Sequence, residues 1–225
     1  YYNRGNAYYN KEDYDRAIAD YTQVIRLDPN YTFAYYSRGD AYHNKGDNDR
    51  AIADYTQVIR LDPNNAWAYY DRGNAYHSKG NTSYYNKEDY DRAIADYTQA
   101  IRLDPNNAWV YCYRGVAYYT KGDYDRAIAD YTQALRLDPN YVAAYYSRGV
   151  AYYTKGDNDH AIADYTQVIR LDPNNVAAYY NRGNAYYDKG DYDRAIADYT
   201  QALRLDPNDA DARKGLENAR QARGY

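Results

Sequence analysis

The chain has 225 residues with 37 tyrosines, no methionine, one cysteine and a formal charge of −4. A single cysteine excludes an internal disulfide framework and fits a reducing, cytoplasmic compartment; the acidic balance argues against a nucleic-acid partner, which would need a basic stripe. No apolar run approaches the ~20 residues of a membrane helix, and with one phenylalanine in the chain tyrosine rings must fill the core.

The string Ala-Ile-Ala-Asp-Tyr-Thr-Gln begins at Ala17, Ala51, Ala93, Ala127, Ala161 and Ala195. Arg-Leu-Asp-Pro-Asn follows each time, with prolines at Pro29, Pro63, Pro105, Pro139, Pro173 and Pro207. The prolines lie 34 residues apart, except for one interval of 42. A fixed period of this size marks stacked repeats, which offer a long surface rather than a catalytic pocket.

The first copy, 1–31, opens partway through its unit. No capping segment precedes Tyr1, so this edge is expected to self-associate, and the chain reads as a fragment of a longer one. The second copy spans 32–65. The third, 66–107, carries eight extra residues near 81–88. There Tyr84 to Asp89 repeats the string of Tyr8 to Asp13. Gly80 followed by Asn81 signals a break, so the expectation is a protruding loop containing a helical turn. The alternative is a first helix running on for two more turns.

The fourth copy, 108–141, shows the elements of each unit. Tyr111, Gly115, Ala117 and Tyr118 keep helical spacing, predicting a first helix over 108–120. Lys121-Gly122 closes it, glycine suiting a left-handed cap and lysine the negative helix end. Asp123 stands where a second helix needs its N-cap oxygen. Ala127, Ile128, Tyr131 and Leu135 make that second helix amphipathic, and Pro139 ends it. The fifth and sixth copies, 142–175 and 176–209, repeat the pattern. Residues 210–225 read as a charged capping helix.

Tyr111-x-x-Arg114-Gly115-x-x-Tyr118, Ala127-x-x-x-Tyr131 and Pro139 together resemble the tetratricopeptide repeat (TPR) signature. The same spacing recurs in all six copies, covering residues 1 to about 209. The resemblance implies an all-α, right-handed superhelical solenoid of antiparallel helix pairs. Two departures stand out. Tyrosine replaces the usual tryptophan and phenylalanine, and arginine (Arg4, Arg38, Arg72, Arg114, Arg148, Arg182) replaces the leucine beside the glycine. Each arginine must find a partner, expected from the Asp130 or Asp138 columns. The glycine, mid-helix at a cost of about 1 kcal/mol, is expected where the paired helices approach closely.

The second helices barely vary, whereas the first helices vary along one face. That face carries Tyr2, Asn6 and Tyr9 in the first copy, then Phe33, Tyr36, Asp40 and His43. In the third copy it carries Trp67, Tyr70, Asn74 and His77, and in the fourth Trp109, Cys112, Val116 and Tyr119. The fifth has Ala143, Tyr146, Val150 and Tyr153; the sixth has Ala177, Tyr180, Asn184 and Tyr187. Steps of three and four hold one side of a helix. The TPR resemblance implies that this face lines a concave groove for a peptide segment of a protein partner. Aromatic rings and asparagine amides suit such an interface. The competing reading packs Tyr70, Tyr146 and Tyr180 between adjacent first helices. The groove reads as polar and aromatic toward the N-terminus and more apolar around Trp109, Val116 and Val150, suiting an amphipathic peptide. It has no lysine or arginine, which argues against the terminal-carboxylate clamp of chaperone-tail binders. An asparagine ladder fits only at Asn3 and Asn181, interrupted by Ser37, Asp71, Tyr113 and Ser147.

No cofactor, metal set or catalytic constellation is read. His43 and His77 share a column but lie a repeat apart, too far for one metal ion. Arg38-Gly39-Asp40 falls inside a helix, and the recurring Asp-x-Asp suits helix starts rather than a calcium loop. Cys112 is expected as a partly exposed thiol on the groove face. The reading is a non-enzymatic interaction scaffold. Its alternatives are the docking arm of a larger enzyme or complex and a self-assembling array.

Overall fold

The computed structural model of the chain describes residues 1–82 and 86–224. Its described residues form thirteen α-helices and no strand. The chain divides into two compact units, 1–121 and 122–225. The first holds α1 (Tyr2–Tyr9), α2 (Tyr14–Leu27), α3 (Thr32–Asn44), α4 (Asn48–Leu61), α5 (Ala66–Thr82), α6 (Lys87–Leu103) and α7 (Ala108–Thr120). The second holds α8 (Tyr124–Leu137), α9 (Val142–Thr154), α10 (Asn158–Leu171), α11 (Val176–Asp188), α12 (Tyr192–Leu205) and α13 (Ala210–Arg223).

Helix ends follow the expected chemistry. Asp13, Asp47, Asp123, Asp157 and Asp191 accept a backbone N–H at the start of α2, α4, α8, α10 and α12. Gly46, Gly122, Gly156 and Gly190 make the preceding turns at φ between 77° and 84°. In the first copy Glu12 takes that place at φ 59°, a left-handed conformation that a side chain disfavours.

Within a hairpin the glycine of the first helix faces the tyrosine of the constant motif. A Cβ on Gly39 would stand 2.8 Å from the Tyr55 ring, and one on Gly183 2.8 Å from that of Tyr199. The missing side chain is what admits a fully buried tyrosine, flanked by alanines such as Ala17 and Ala41 around Tyr21. The arginines pair as expected with the Asp130 column. Arg38 holds Asp54 through Nε and Nη2 at 2.8 and 2.7 Å, and Arg148 holds Asp164 identically. Arg38 Nη1 also donates to Thr22 of the preceding copy at 3.0 Å, so one guanidinium ties two repeats together.

The insertion departs from the expected loop. Helix α5 has 17 residues where α3 has 13, and α6 has 17 where α4 has 14. Residues 83–85, the middle of the insertion, lie outside the described residues. Gly80 breaks nothing: it stays helical because it repeats the role of Gly73 one heptad on. A Cβ on Gly80 would meet the Tyr90 ring at 3.0 Å, as one on Gly73 would meet that of Tyr97 at 2.8 Å. Tyr90 donates to Asn81 at 2.7 Å, as Tyr97 donates to Asn74 at 2.8 Å. The extra residues lengthen both arms of the hairpin by duplicating its own interlock. Glu88 accordingly lies in the first turn of α6.

Candidate functional site

The face singled out in the sequence begins from the core beneath it. A buried tyrosine needs a partner for its hydroxyl, and the first helix supplies one. Tyr21 donates to Asn6 at 2.8 Å, Tyr55 to Asp40 at 2.7 Å, and Tyr199 to Asn184 at 2.7 Å. The asparagine column expected to meet a peptide backbone therefore has its carbonyl oxygens engaged with the core. The signal was present in the composition: a core built of tyrosine rather than phenylalanine obliges an acceptor one helix away.

The neighbouring tyrosines bridge consecutive first helices, the competing reading of that column. Tyr2 bonds Ser37 at 3.2 Å, Tyr36 donates to Asp71, and Tyr146 accepts from Asn181 at 2.8 Å. Tyr70 meets Tyr113 edge-on with centroids 5.4 Å apart. Tyr180 instead packs on Tyr199 at 6.0 Å. Ser37, Asp71 and Tyr113, three of the residues that interrupted an asparagine ladder, are thus partners in these bridges. Farther along, Tyr9 accepts from Asn44 at 2.8 Å and Tyr153 donates to Asp188 at 2.7 Å.

Of the residues expected on the face, Cys112 requires correction. It is buried at 5% exposure, at the position that carries Tyr36, Tyr70, Tyr146 and Tyr180 in other copies. All the others keep accessible surface. Phe33, Trp67 and Trp109 are the most open, at 66, 49 and 55%. They occupy the same position of α3, α5 and α7. Tyr2, Asn6, Tyr9, Tyr36, Asp40, His43, Tyr70, Asn74, His77, Val116 and Tyr119 are half-buried in the first unit, as are Tyr146, Val150, Tyr153, Tyr180, Asn184 and Tyr187 in the second.

Each unit carries a cleft on this face. In the first, Phe33, Tyr36 and Trp67 with Thr32, Asp62 and Asn65 enclose about 580 Å³. In the second, Tyr180, Asn184 and Tyr187 face Asp211, Lys214 and Asn218 of α13 across about 300 Å³. Gly215 lets α13 approach the Tyr199 ring at the floor of that cleft; a Cβ there would stand 2.8 Å from it.

The electrostatics are uneven. Asp40 and Asp71 are half-buried carboxylates with no ion pair among the described residues. Burial, with Asp71 adding to it, pushes the Asp40 carboxyl up to about 7. Burial likewise raises Asp71, against the pull of Tyr36 and His43. His43 Nδ1 bonds Asn48 at 2.9 Å, and the His77 ring packs on Tyr90 at 5.5 Å. Burial lowers the pKa of His77, whose Nε2 is the one buried side-chain polar atom without a hydrogen bond among the described residues.

Interlocked helical hairpins with an aromatic face along their first helices define a helical-repeat protein. Comparison with known proteins narrows the class: the family described as TPR repeat matches residues 5–46, 39–80, 82–122 and 117–156, and a tetratricopeptide repeat matches 146–210. The chain belongs to the tetratricopeptide repeat family. Among solved structures it is similar to MamA at 31% identity and a TM-score of 0.69, over 76% of this chain and 96% of that one. It is similar to YrrB, described as a TPR protein with an unusual peptide-binding site, at 23% identity and a TM-score of 0.71, over 88% and 97%. The C-terminal part of a TPR repeat-containing protein from Cytophaga hutchinsonii is similar at 21% identity and a TM-score of 0.80, over 98% and 85%. The last two show the fold alone. No curated protein matches the chain significantly. Family and neighbours support a protein–protein interaction scaffold. No helix among the described residues is long and apolar enough to cross a membrane.

Proposed function

We propose that the chain holds a peptide segment of a protein partner against the face of its first helices, with the aromatic column of the first unit as the principal anchor. The observation that carries this reading is the exposure of Phe33, Trp67 and Trp109 at one position of three consecutive first helices. In a chain whose constant-motif tyrosines are fully buried, three open large aromatics in register are surface held out for a contact. YrrB, of the same fold, has a peptide-binding site, which agrees with this use of the face.

The test compares capture of partners from the source lysate by the native chain and by a Trp67→Ala, Trp109→Ala double variant. Both tryptophans of the chain lie on this face, so the captured segment, made as a peptide, is then titrated by tryptophan fluorescence. Trp109→Ala is expected to cost about 2 kcal/mol of binding. A partner held equally by both forms, with unchanged fluorescence, places the contact elsewhere and removes this reading.

A further inference from the structure

We propose that the cleft between Phe33 and Trp67 and the carboxylates of Asp40 and Asp71 form one recognition site for a basic, amphipathic peptide segment. An apolar side chain would fill the cleft and a lysine or arginine would sit on the carboxylates. The inference rests on the proposed peptide-binding groove and specifies its partner.

The cleft supplies the apolar half. Its walls are two of the most exposed aromatics of the chain, 66 and 49% open, over about 580 Å³. That space fits one large apolar side chain. Tyr36 joins it to the carboxylates, because the same residue lines the cleft and donates its hydroxyl to Asp71. From Phe33 to Asp40 is seven residues of α3, about 10 Å of helix. An extended peptide covers that distance in about three residues.

Charge complementarity decides which residue type accompanies the apolar anchor. The fold's own acceptor for the core tyrosine is a neutral amide: Asn6, Asn74 and Asn184 take it in three other copies. The second copy places Asp40 there, and Asp71 stands in the column that carries Asn3, Ser37, Tyr113, Ser147 or Asn181 elsewhere. Neither hydrogen bond needs a charge. The acidic residues beneath, Asp54 and Asp96, are each neutralised by a two-point arginine; Asp40 and Asp71 have tyrosine and asparagine partners instead. The titratable groups around them are Tyr9 of α1, Tyr21 of α2, Tyr36 and His43 of α3, Tyr55 of α4, Tyr70 of α5 and Tyr97 of α6, with no lysine or arginine among the described residues there. Burial raises both carboxyls, and Asp71 adds to it at Asp40, which a ligand cation would relieve.

The experiment is selection of a randomised 12-residue peptide library on the full chain, on Phe33→Ala/Trp67→Ala, and on Asp40→Asn/Asp71→Asn. The asparagine variants keep acceptors for Tyr55 and Tyr36, and circular dichroism confirms their fold. The expected result is a consensus on the native chain with lysine or arginine about three residues from a large apolar residue. Replacing that basic residue by glutamine is expected to weaken binding at least tenfold on the native chain, and less than twofold on Asp40→Asn/Asp71→Asn. A consensus without a basic residue at that spacing, or a glutamine effect below twofold on the native chain, overturns the proposal while leaving the groove in place. Peptides that bind the Phe33→Ala/Trp67→Ala variant as well as the native chain overturn the groove reading, and this inference with it.

Discussion

The first helices of the two units share a framework and differ in what they display on it. In the first unit the leading position of the face is Phe33, Trp67 or Trp109, and the acceptor position holds Asn6, Asp40, Asn74 or, in α7, Val116. In the second unit the leading position is Ala143 or Ala177, and no carboxylate stands in the acceptor position, held by Val150 and Asn184. Beneath both faces the interlock is the same: glycine against a tyrosine ring, arginine clamped on aspartate, threonine closing to the preceding copy. The framework is what near-identical second helices conserve between copies, and the display is what varies over it. Burial tolerates little variation, whereas an exposed face tolerates much.

The framework half of that comparison is the easiest to break, and should break equally in both units. Gly39→Leu and Gly183→Leu would each drive a side chain into a fully buried ring, Tyr55 or Tyr199. Each is expected to lose about 3 kcal/mol, read as a fall in the urea midpoint. A large loss in one unit and none in the other would mean that the shared geometry does not carry shared energetics.

The display half has an opposite expectation. The Asp40 carboxyl, raised to about 7 in the folded chain, has an ordinary value near 3.8 when unfolded. Between those values the folded state holds a proton that the unfolded state has released, so stability falls as pH rises from about 4 to about 7. Asp40→Asn removes that loss and keeps the Tyr55 hydrogen bond. At pH 8 it should stabilise the chain by about 1–2 kcal/mol, its partial exposure allowed for, with little effect at pH 4. Asn184→Asp should impose the reverse pattern on the second unit. Thermal melts at the two pH values decide both. A flat response would show Asp40 to be solvated like any surface carboxylate.

These two halves also mark what the sequence disclosed. Period, helix pairing, glycine and aspartate caps and the arginine–aspartate clamp all follow from local rules acting in register, and each was legible at residue level. The face was legible as a set, since helical spacing places it, but its division of labour was not. That Asn6 and Asn184 serve core hydroxyls depends on where Tyr21 and Tyr199 end, a matter of packing between helices. Cys112 lies on the same face and is buried, because its neighbours and not its spacing set its exposure. Gly80 reads as a break because Lys-Gly ends a helix in four other copies; Tyr90, brought opposite it, makes it a packing glycine instead.

The smallest expected effect isolates that dependence on context. Tyr-Tyr-Asn-Lys-Glu-Asp occurs twice in the chain, at 8–13 and at 84–89. In the first, Glu12 holds the turn at φ 59°, where four other copies use glycine. A side chain there costs about 1 kcal/mol, and glycine recovers part of it after its greater freedom in the unfolded chain is subtracted. Glu12→Gly is therefore expected to stabilise by about 0.5 kcal/mol. In the second, Glu88 is helical and pairs with Arg92 at 2.6 Å. Glu88→Gly is expected to destabilise by about 1 kcal/mol, mostly through helix propensity. One substitution in two identical strings should thus act with opposite signs, measured by urea denaturation at unchanged m-value. The same sign at both sites would mean that the string itself, and not the tyrosine or turn opposite it, sets the local conformation.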